Sequence, residues 1–240
     1  LLDALAEASG VAARPALPLG PGDSLTDETV DFTLAAERLH RDESPFFGIL
    51  PDGEVTTAPP AALLSGSFNP LHAGHIGLAA TAAALLGAPV AFELSVVNAD
   101  KPRLAPDAVL DRLSQFAGRY AAYAGNAPTF VEKARLYPGA VFVVGFDTAA
   151  RVIQPRYYGD SQAGMLAALD EVRARGNRFL VAGREGADGA FHELAELALP
   201  AGYAALFAPI PASLFHADVS STELRAALRA EADAEAAARR

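Results

Sequence analysis

Two of the five histidines in the chain, His72 and His75, lie three residues apart in the segment GSFNPLHAGH, residues 66–75. An apolar run precedes this segment, and a helix-like stretch, HIGLAATAAALLG, begins within it. Residues three apart share one face of a helix, so both imidazoles would point the same way near a helix N-terminus. The free N–H groups and the dipole at that end attract anions. The spacing therefore predicts a phosphate-binding site.

The residues around the two histidines fit close approach to a ligand and not nucleophilic catalysis. Gly66 and Ser67 are small enough to let the backbone pass near a bound group, and Pro70 stiffens the loop. The chain has no cysteine and no Gly-x-Ser-x-Gly elbow, so the pattern of a nucleophile beside a base is missing. A zinc site is not predicted, because no third ligand stands at a suitable spacing from the histidines.

A second anion-binding pattern, VSSTELR, lies near the end of the chain. Ser220 and Glu223 have the spacing of a capping box, which marks a helix N-terminus. Ser221 and Thr222 would lie among the free amides of that terminus. Arg225 would follow one turn later, where its guanidinium can hold an anion through two hydrogen bonds. A capping box alone is common, but one that carries an arginine downstream of a paired-histidine loop is more specific.

Further charged and aromatic candidates follow strand-like segments. They are Lys101 in NADKPRL, Asp147 in GFDTAAR, Arg184 in GREG, and Arg156, Tyr157 and Tyr158 in QPRYY. Several have a plain alternative: Lys101 as a surface lysine, Asp147 as a helix N-cap, and the tyrosines as half-buried surface residues. Arg184 is a phosphate candidate on its position alone. Arg225 has the alternative of a solvated helix residue. His192 and His216 are predicted to be structural, and His40 is predicted to be an exposed helix residue and not a ligand.

The elements that must position these residues alternate from residue 61 onward. The strand-like segments are AALLSGSF, VAFELSVV, AVFVVGF, RFLVAGR and YAALFAPI, and helix-like segments stand between them. The alternation predicts an α/β fold, a Rossmann-like parallel sheet with helices on both faces. Ligands of such sheets bind beyond the carboxyl ends of the strands, at the switch point of strand order. The paired-histidine loop is expected at that edge.

Composition narrows the classes of partner. The chain has 240 residues, of which 51% are apolar and 20% charged, as in a globular domain with a sizeable core. The formal net charge of −10 argues against a nucleic-acid partner, since duplex binding depends on Lys and Arg neutralising phosphates. The absence of cysteine excludes disulfides and fits a reducing compartment, so a cytoplasmic location is expected.

Residues 1–60 differ from the rest and are predicted to be an N-terminal appendage to a main domain of residues 61–240. DETVDFTLAAERLHR has the pattern of an amphipathic helix, and FFGILPDGEVTTAPP that of a hairpin that turns at Asp52–Gly53. Because the chain begins with Leu1 and not Met, we interpret the appendage as the possible tail of an upstream domain.

The apolar stretch of residues 77–97 has the composition of a membrane span. Gly87 and Pro89 interrupt it near its middle, and Glu93 follows. The sequence therefore predicts a helix, a turn and a buried strand there, and no membrane partner.

These motifs together resemble a known superfamily. GSFNPLHAGH resembles the signature of the HIGH-type nucleotidyltransferases, in the form of their nicotinamide/nicotinate mononucleotide adenylyltransferase branch. VSSTELR resembles the second signature of that branch, Ile-Ser-Ser-Thr-x-x-Arg, and VVGFDT resembles its Gly-x-Asp at a strand end. The similarity covers about residues 61–228 with the motifs in the same order. Residues 1–60 loosely resemble the end of a CinA-type nicotinamide-nucleotide amidase domain.

The resemblance implies a HUP-type nucleotidyltransferase fold and transfer of AMP from ATP to a phosphate-bearing acceptor, with release of pyrophosphate. Mg²⁺ would be carried by the nucleotide phosphates and not by a protein cage. The implied catalytic residues are His72, His75 and Arg225. The implied nucleotide-binding residues are Gly66, Ser67, Phe68, Gly74, Gly145, Asp147, Ser220, Ser221 and Thr222. The implied acceptor-binding residues are Lys101, Arg156 and Tyr157.

Departures from the family pattern leave alternatives open. Bacterial members often place a tryptophan in the acceptor pocket, and this chain has none, so the acceptor is not identified. A cytidylyltransferase, a pantetheine-phosphate adenylyltransferase and a catalytically degenerate nucleotide-binding module remain alternatives, and an oligomer remains open. The pantetheine enzymes usually carry Thr at the position of His72. A class I aminoacyl-tRNA synthetase is disfavoured by the short, acidic chain.

Overall fold

The computed structural model describes residues 20–22, 32–97, 102–186 and 189–216. The chain divides into two compact units, residues 1–30 and 31–240. Of the first unit, only a turn at residues 20–22 is described. The second unit holds all of the sheets and helices that follow.

The described residues form ten strands. They are β1 (Phe46–Ile49), β2 (Val55–Thr56), β3 (Ala62–Gly66), β4 (Ala91–Ser95), β5 (Ala122–Gly125), β6 (Val141–Gly145), β7 (Arg178–Ala182), β8 (Arg184–Glu185), β9 (Phe191–His192) and β10 (Phe207–Ile210). Eight of them form one sheet in the order β10-β7-β6-β3-β4-β5-β1-β2, and β8 pairs with β9 in a separate hairpin.

Helices connect the strands. In the described part of the chain they are α1 (Thr33–His40), α2 (Ala73–Leu86), α3 (Pro106–Ser114), α4 (Phe130–Leu136), α5 (Phe146–Val152) and α6 (Gln162–Ala174). Short 3₁₀ turns lie at Pro155–Tyr158, Leu194–Glu196 and Ala204–Leu206.

The strand order is that of a doubly wound sheet. From β10 across to β5, each strand pairs in parallel with its neighbours, whereas β1 is antiparallel to β5. The chain winds outward from β3 through β4 and β5, then returns to β6 and winds the other way. The switch point of strand order thus lies between β3 and β6. The predicted fold class, a Rossmann-like α/β sheet covered on both faces, is confirmed.

Each face of the sheet has its own apolar core, because neighbouring residues of a strand point to opposite faces. Leu64 of β3 belongs to the core beneath α1, α2 and α3, together with Phe92 and Leu113. Leu63 belongs to the core beneath α4, α5 and α6, together with Phe142. Burial on both faces explains why strands such as VFVVG read as continuous apolar runs.

The predicted hairpin at Asp52–Gly53 is present and extends the sheet. Strand β1 pairs with β2 across this turn, where Gly53 has a φ of 90° and the Glu54 N–H donates to the Asp52 carboxylate at 3.0 Å. The other side of β1 pairs with β5, with Phe47 opposite Ala124. Within the compact unit of residues 31–240, β1 therefore completes the edge of β5.

The apolar stretch of residues 77–97 folds as a helix, a turn and a strand, as predicted. Helix α2 ends where Gly87 adopts a left-handed conformation with a φ of 62°, and β4 begins at Ala91. Within the residues that the structure describes, every helix is too short or too polar to cross a lipid bilayer.

Candidate active site

Small residues end four neighbouring strands at the carboxyl edge of the sheet. Strands β3, β4, β5 and β6 end at Gly66, Ser95, Gly125 and Gly145, in that order. A Cβ atom added to Gly145 would meet nothing within 4 Å, so space lies open beside the end of β6. Since β3 and β6 are paired neighbours, their ends flank the switch point, where a ligand of this fold binds.

The paired-histidine loop, residues 67–75, follows β3 and runs into the first turn of α2 at this point. His72 is the N-cap residue of α2, with φ −143° and ψ 169°, and its carbonyl accepts the N–H groups of His75 at 3.0 Å and Ile76 at 3.2 Å. His75 lies in the first turn, with Gly74 between the two histidines. The imidazoles stack with their centroids 3.7 Å apart and an interplanar angle of 26°. The structure therefore places both at the helix N-terminus and on one face.

Both imidazoles are neutral near pH 7. Burial, together with the nearby His72, lowers the pKa of His75 to about 4. Burial also lowers the pKa of His72. The Nδ1 atom of His75 is buried and has no hydrogen-bond partner among the described residues. Neutral imidazoles each offer one N–H donor, which can bind a phosphate oxygen without a charge that must be desolvated.

Phe68 supports the loop from below. Its ring is 1% exposed and packs edge-on against His75, Phe92 and Phe116, with centroids 5.0, 5.4 and 5.2 Å away. A Cβ added to Gly66 would lie 2.8 Å from this ring, so the glycine makes room for it. The ring of Phe68, predicted to bind nucleotide, faces the core, and any contact with a ligand would be through its backbone.

Side chains at the end of α3 hold the loop from the side. The Gln115 side-chain oxygen accepts the Leu71 N–H at 2.8 Å, and its amide donates to the Phe68 carbonyl at 3.0 Å. Arg112 donates from Nη1 to the Ser67 carbonyl at 3.1 Å. Neither residue was predicted from the sequence. The one signal for Gln115 is its polarity between Leu113 and Phe116, two apolar positions that are both buried.

An ion pair lies on the other side of the switch point. Asp147 stands in the first turn of α5, directly after β6, and its carboxylate pairs with Arg184 of β8. Both side chains are about half exposed, so the pair contributes little to stability. Two residues that the sequence singled out separately thus meet, and an anion could replace the carboxylate at the guanidinium.

Arg156 and Tyr157 contact each other in the 3₁₀ turn after α5. The Arg156 guanidinium lies 4.6 Å from the centroid of the Tyr157 ring and donates to its hydroxyl at 2.5 Å. Tyr158 donates its hydroxyl to the Val152 carbonyl at 2.9 Å, and burial raises its pKa to about 12. Tyr158 therefore satisfies a carbonyl at the C-terminus of α5, while Arg156 is exposed to solvent.

His192 and His216, which were predicted to be structural, each stack on a phenylalanine ring. His192 lies 5.4 Å from Phe146, and its Nδ1 contacts the Glu196 carboxylate at 2.8 Å. His216 lies 4.5 Å from Phe191. The neighbouring Phe215 approaches Gly77 of α2, so the chain after β10 returns to the helix that carries the paired histidines.

The remaining predicted residues lie outside the described ranges: Lys101, Ser220, Ser221, Thr222 and Arg225. Within the described ranges, no group of three or more His, Asp or Glu side chains is arranged to hold a metal ion.

Comparison with known proteins gives one partial similarity to a curated protein. No family model matches the chain. The chain is 28% identical over 151 residues to a protein of Schizosaccharomyces pombe (strain 972 / ATCC 24843) named "Putative nicotinamide mononucleotide adenylyltransferase". The aligned region covers 57% of this chain and 53% of that relative, so the chain spans about half the length of the curated protein that it matches.

Proposed function

We propose that this protein is a nucleotidyltransferase that transfers AMP from ATP to a phosphate-bearing acceptor. The observation that carries the proposal is the stacked pair of neutral imidazoles, His72 and His75, at the N-terminus of α2 beside the switch point. The name of the yeast relative supports an adenylyl donor and a pyridine mononucleotide acceptor.

The reaction needs no covalent intermediate on the protein. An oxygen of the acceptor phosphate attacks the α-phosphorus of ATP in line, and a new P–O–P bond forms. The bond between the α-phosphorus and the bridging oxygen breaks, and the electron pair leaves with pyrophosphate. Phosphoryl transfers of this type are accelerated by positioning and by stabilisation of charge on the phosphate oxygens, so they require donors and not a nucleophile.

The described residues supply such donors. His75 and His72 would each donate one N–H to the triphosphate, with His75 nearer to the reacting phosphorus. ATP would enter as its Mg²⁺ complex, with the ion held by the phosphates. Gly66, Ser67 and Gly74 would bring backbone close to the phosphates, and the open space beside Gly145 would admit the nucleoside, with Asp147 near the ribose.

The second signature would hold the leaving pyrophosphate. Ser220 is four residues after His216, so the chain between them spans about 14 Å at most when fully extended. His216 stacks on Phe191, and Phe215 approaches Gly77, two residues after His75. This connection supports a role for Ser220, Ser221, Thr222 and Arg225 beside the histidines, since the chain is tethered to their helix.

The acceptor side of the proposal involves Lys101, Arg156 and Tyr157. Lys101 would neutralise the acceptor phosphate. The Arg156 guanidinium already lies over an aromatic ring, and such planar groups also stack on a pyridine or a purine. A screen that incubates the protein with Mg²⁺, ATP or CTP, and a panel of phosphate-bearing acceptors tests these roles. The panel includes nicotinamide mononucleotide, nicotinate mononucleotide and phosphopantetheine.

The expected result is a dinucleotide of the acceptor with AMP, detected by mass spectrometry, with an equal amount of pyrophosphate. Formation of a product with CTP and none with ATP would contradict the adenylyl assignment. Binding of ATP in calorimetry with no product from any acceptor would contradict catalysis and favour a nucleotide-binding module.

A further inference from the structure

The loop between β3 and α2 is held by side chains and not by a regular hydrogen-bond ladder. Three hydrogen bonds come from the end of α3. Arg112 donates to the Ser67 carbonyl, and the Gln115 amide donates to the Phe68 carbonyl. The Gln115 side-chain oxygen accepts the Leu71 N–H. Buried or half-buried backbone groups need partners, and this segment finds them 44 to 47 residues further along the chain.

One residue of the loop has an unfavourable backbone conformation. Phe68 has a φ of 44°, in the left-handed region that residues with a Cβ rarely adopt. Such conformations persist only where surrounding contacts impose them. Here the ring is enclosed by His75, Phe92 and Phe116, and the carbonyl of the same residue accepts from Gln115. The ring and the carbonyl together fix the turn.

We propose that Gln115 is a positioning residue, which holds the loop in the conformation that presents His72 and His75 at the N-terminus of α2. Its catalytic consequence rests on the proposed function, whereas its effect on the histidines does not. Leu71, which Gln115 contacts, directly precedes the N-cap residue His72. Phe68, which Gln115 also contacts, packs on the ring of His75.

Only a carboxamide fits this position. The oxygen must accept the Leu71 N–H, while the nitrogen donates to both the Phe68 carbonyl at 3.0 Å and the Arg112 carbonyl at 3.1 Å. A glutamate at the position keeps the acceptor but turns a carboxylate oxygen toward two carbonyl oxygens. A methionine keeps the volume and loses all three hydrogen bonds.

The first test uses the unchanged protein. Hydrogen exchange followed by NMR reports the protection of the Leu71 amide, which is expected to exchange at least about tenfold more slowly than an unprotected amide, since its only described partner is Gln115. Exchange at the rate of an unprotected amide would overturn the proposal.

The second test compares Gln115→Glu with Gln162→Glu, which makes the same change on the exposed first residue of α6. In Gln115→Glu the imidazole of His75, followed by NMR titration, is expected to regain a pKa nearer its ordinary value as the loop relaxes. The value in Gln162→Glu is expected to stay at that of the unchanged protein. An unaltered His75 titration in a folded Gln115→Glu protein would contradict the proposal, and Gln115→Met replaces it if the glutamate variant does not fold.

The same two variants, Gln115→Glu and Gln162→Glu, are also compared by their kinetics. Displacement of the loop by about 1 Å is expected to lower kcat for adenylyl transfer tenfold or more, with a smaller change in the KM for the acceptor. If the unchanged protein forms no dinucleotide, the proposed function fails, and the exchange and titration results still decide whether Gln115 positions the histidines.

Discussion

At the scale of single residues, the site works with neutral donors. The two stacked imidazoles are 3.7 Å apart, a distance at which two positive charges would repel each other strongly. Burial lowers the pKa of both imidazoles, and the proximity of His72 adds to the lowering for His75, so a neutral His75 can offer its N–H to a phosphate oxygen without a second proton. The anion-binding field then comes from the N-terminus of α2.

Replacement of His75 tests this role directly. His75→Ala removes the donor that we place nearest to the reacting phosphorus, and turnover is expected to fall by roughly a hundredfold or more, the scale of losing one such donor. His40→Ala, which removes an exposed histidine of α1, serves as the control. Turnover near that of the unchanged protein, in a His75→Ala variant with an intact circular dichroism spectrum, would reject the assignment.

The lowered pKa of His75 also predicts how stability depends on pH. Below about pH 6.5 the unfolded chain binds a proton at this residue, while the folded chain does not until about pH 4. Unfolding therefore takes up a proton within this window, and stability falls as the pH drops from 6.5 to 4. Relative to the non-titrating variant His75→Gln, the Tm of the unchanged protein is expected to decline across that window. A constant Tm difference from pH 7.5 to 4.5 would show that His75 titrates normally in the folded state.

At the scale of elements, a buried ion pair joins α4 to the end of β4. Lys133 Nζ donates to both carboxylate oxygens of Glu93 at 2.5 and 2.6 Å and to the Ser95 hydroxyl at 2.9 Å. Glu93 is 0% exposed and Lys133 is 2% exposed. Because neither charge can reach water, each depends on the other, and the pair sets the position of α4 against the carboxyl end of β4.

Breaking this pair is expected to be costly. Lys133→Met leaves the Glu93 carboxylate buried without its partner, which costs about 3–5 kcal/mol in comparable cases. The double variant Glu93→Leu/Lys133→Met removes both charges and is expected to regain much of that loss. Arg135→Ala, in the exposed pair with Glu171, is the control and should cost far less. Urea unfolding measures all three, and a Lys133→Met variant no weaker than Arg135→Ala would refute the prediction.

At the scale of the whole molecule, the proposed site draws on segments from both halves of the doubly wound sheet. The paired histidines follow β3, Asp147 and Arg184 follow β6 and β7, and the second signature follows β10. In a parallel sheet the carboxyl ends of all strands meet at one edge, so residues 150 positions apart can serve one ligand.

A double-mutant cycle tests this convergence. If His75 and Arg225 act on one polyphosphate in the same transition state, His75→Ala and Arg225→Ala are expected to lower kcat/KM by less in combination than the product of their separate effects. The cycle of His75→Ala with Arg229→Ala, four residues further along the sequence, is expected to show independent effects. Independent effects in the Arg225 cycle as well would mean that the two residues do not share a ligand.

The sequence alone determined those features that depend on local patterns. Continuous apolar runs alternating with helical segments predicted the doubly wound sheet. The spacing of His72 and His75 predicted two imidazoles on one face of a helix start, and Asp52–Gly53 predicted the hairpin. Each of these predictions depends on a few neighbouring residues, because the pattern of apolar and polar residues repeats over a short stretch of sequence.

The tertiary structure decided which distant residues meet. Gln115 contacts Leu71 across 44 positions, Lys133 contacts Glu93 across 40, and Arg184 contacts Asp147 across 37. No short pattern encodes such pairs, because they depend on how helices pack against the two faces of the sheet. The same packing buries the ring of Phe68 in the core. Phe68 has a left-handed backbone conformation, so its side chain does not point where it would if β3 continued as a strand.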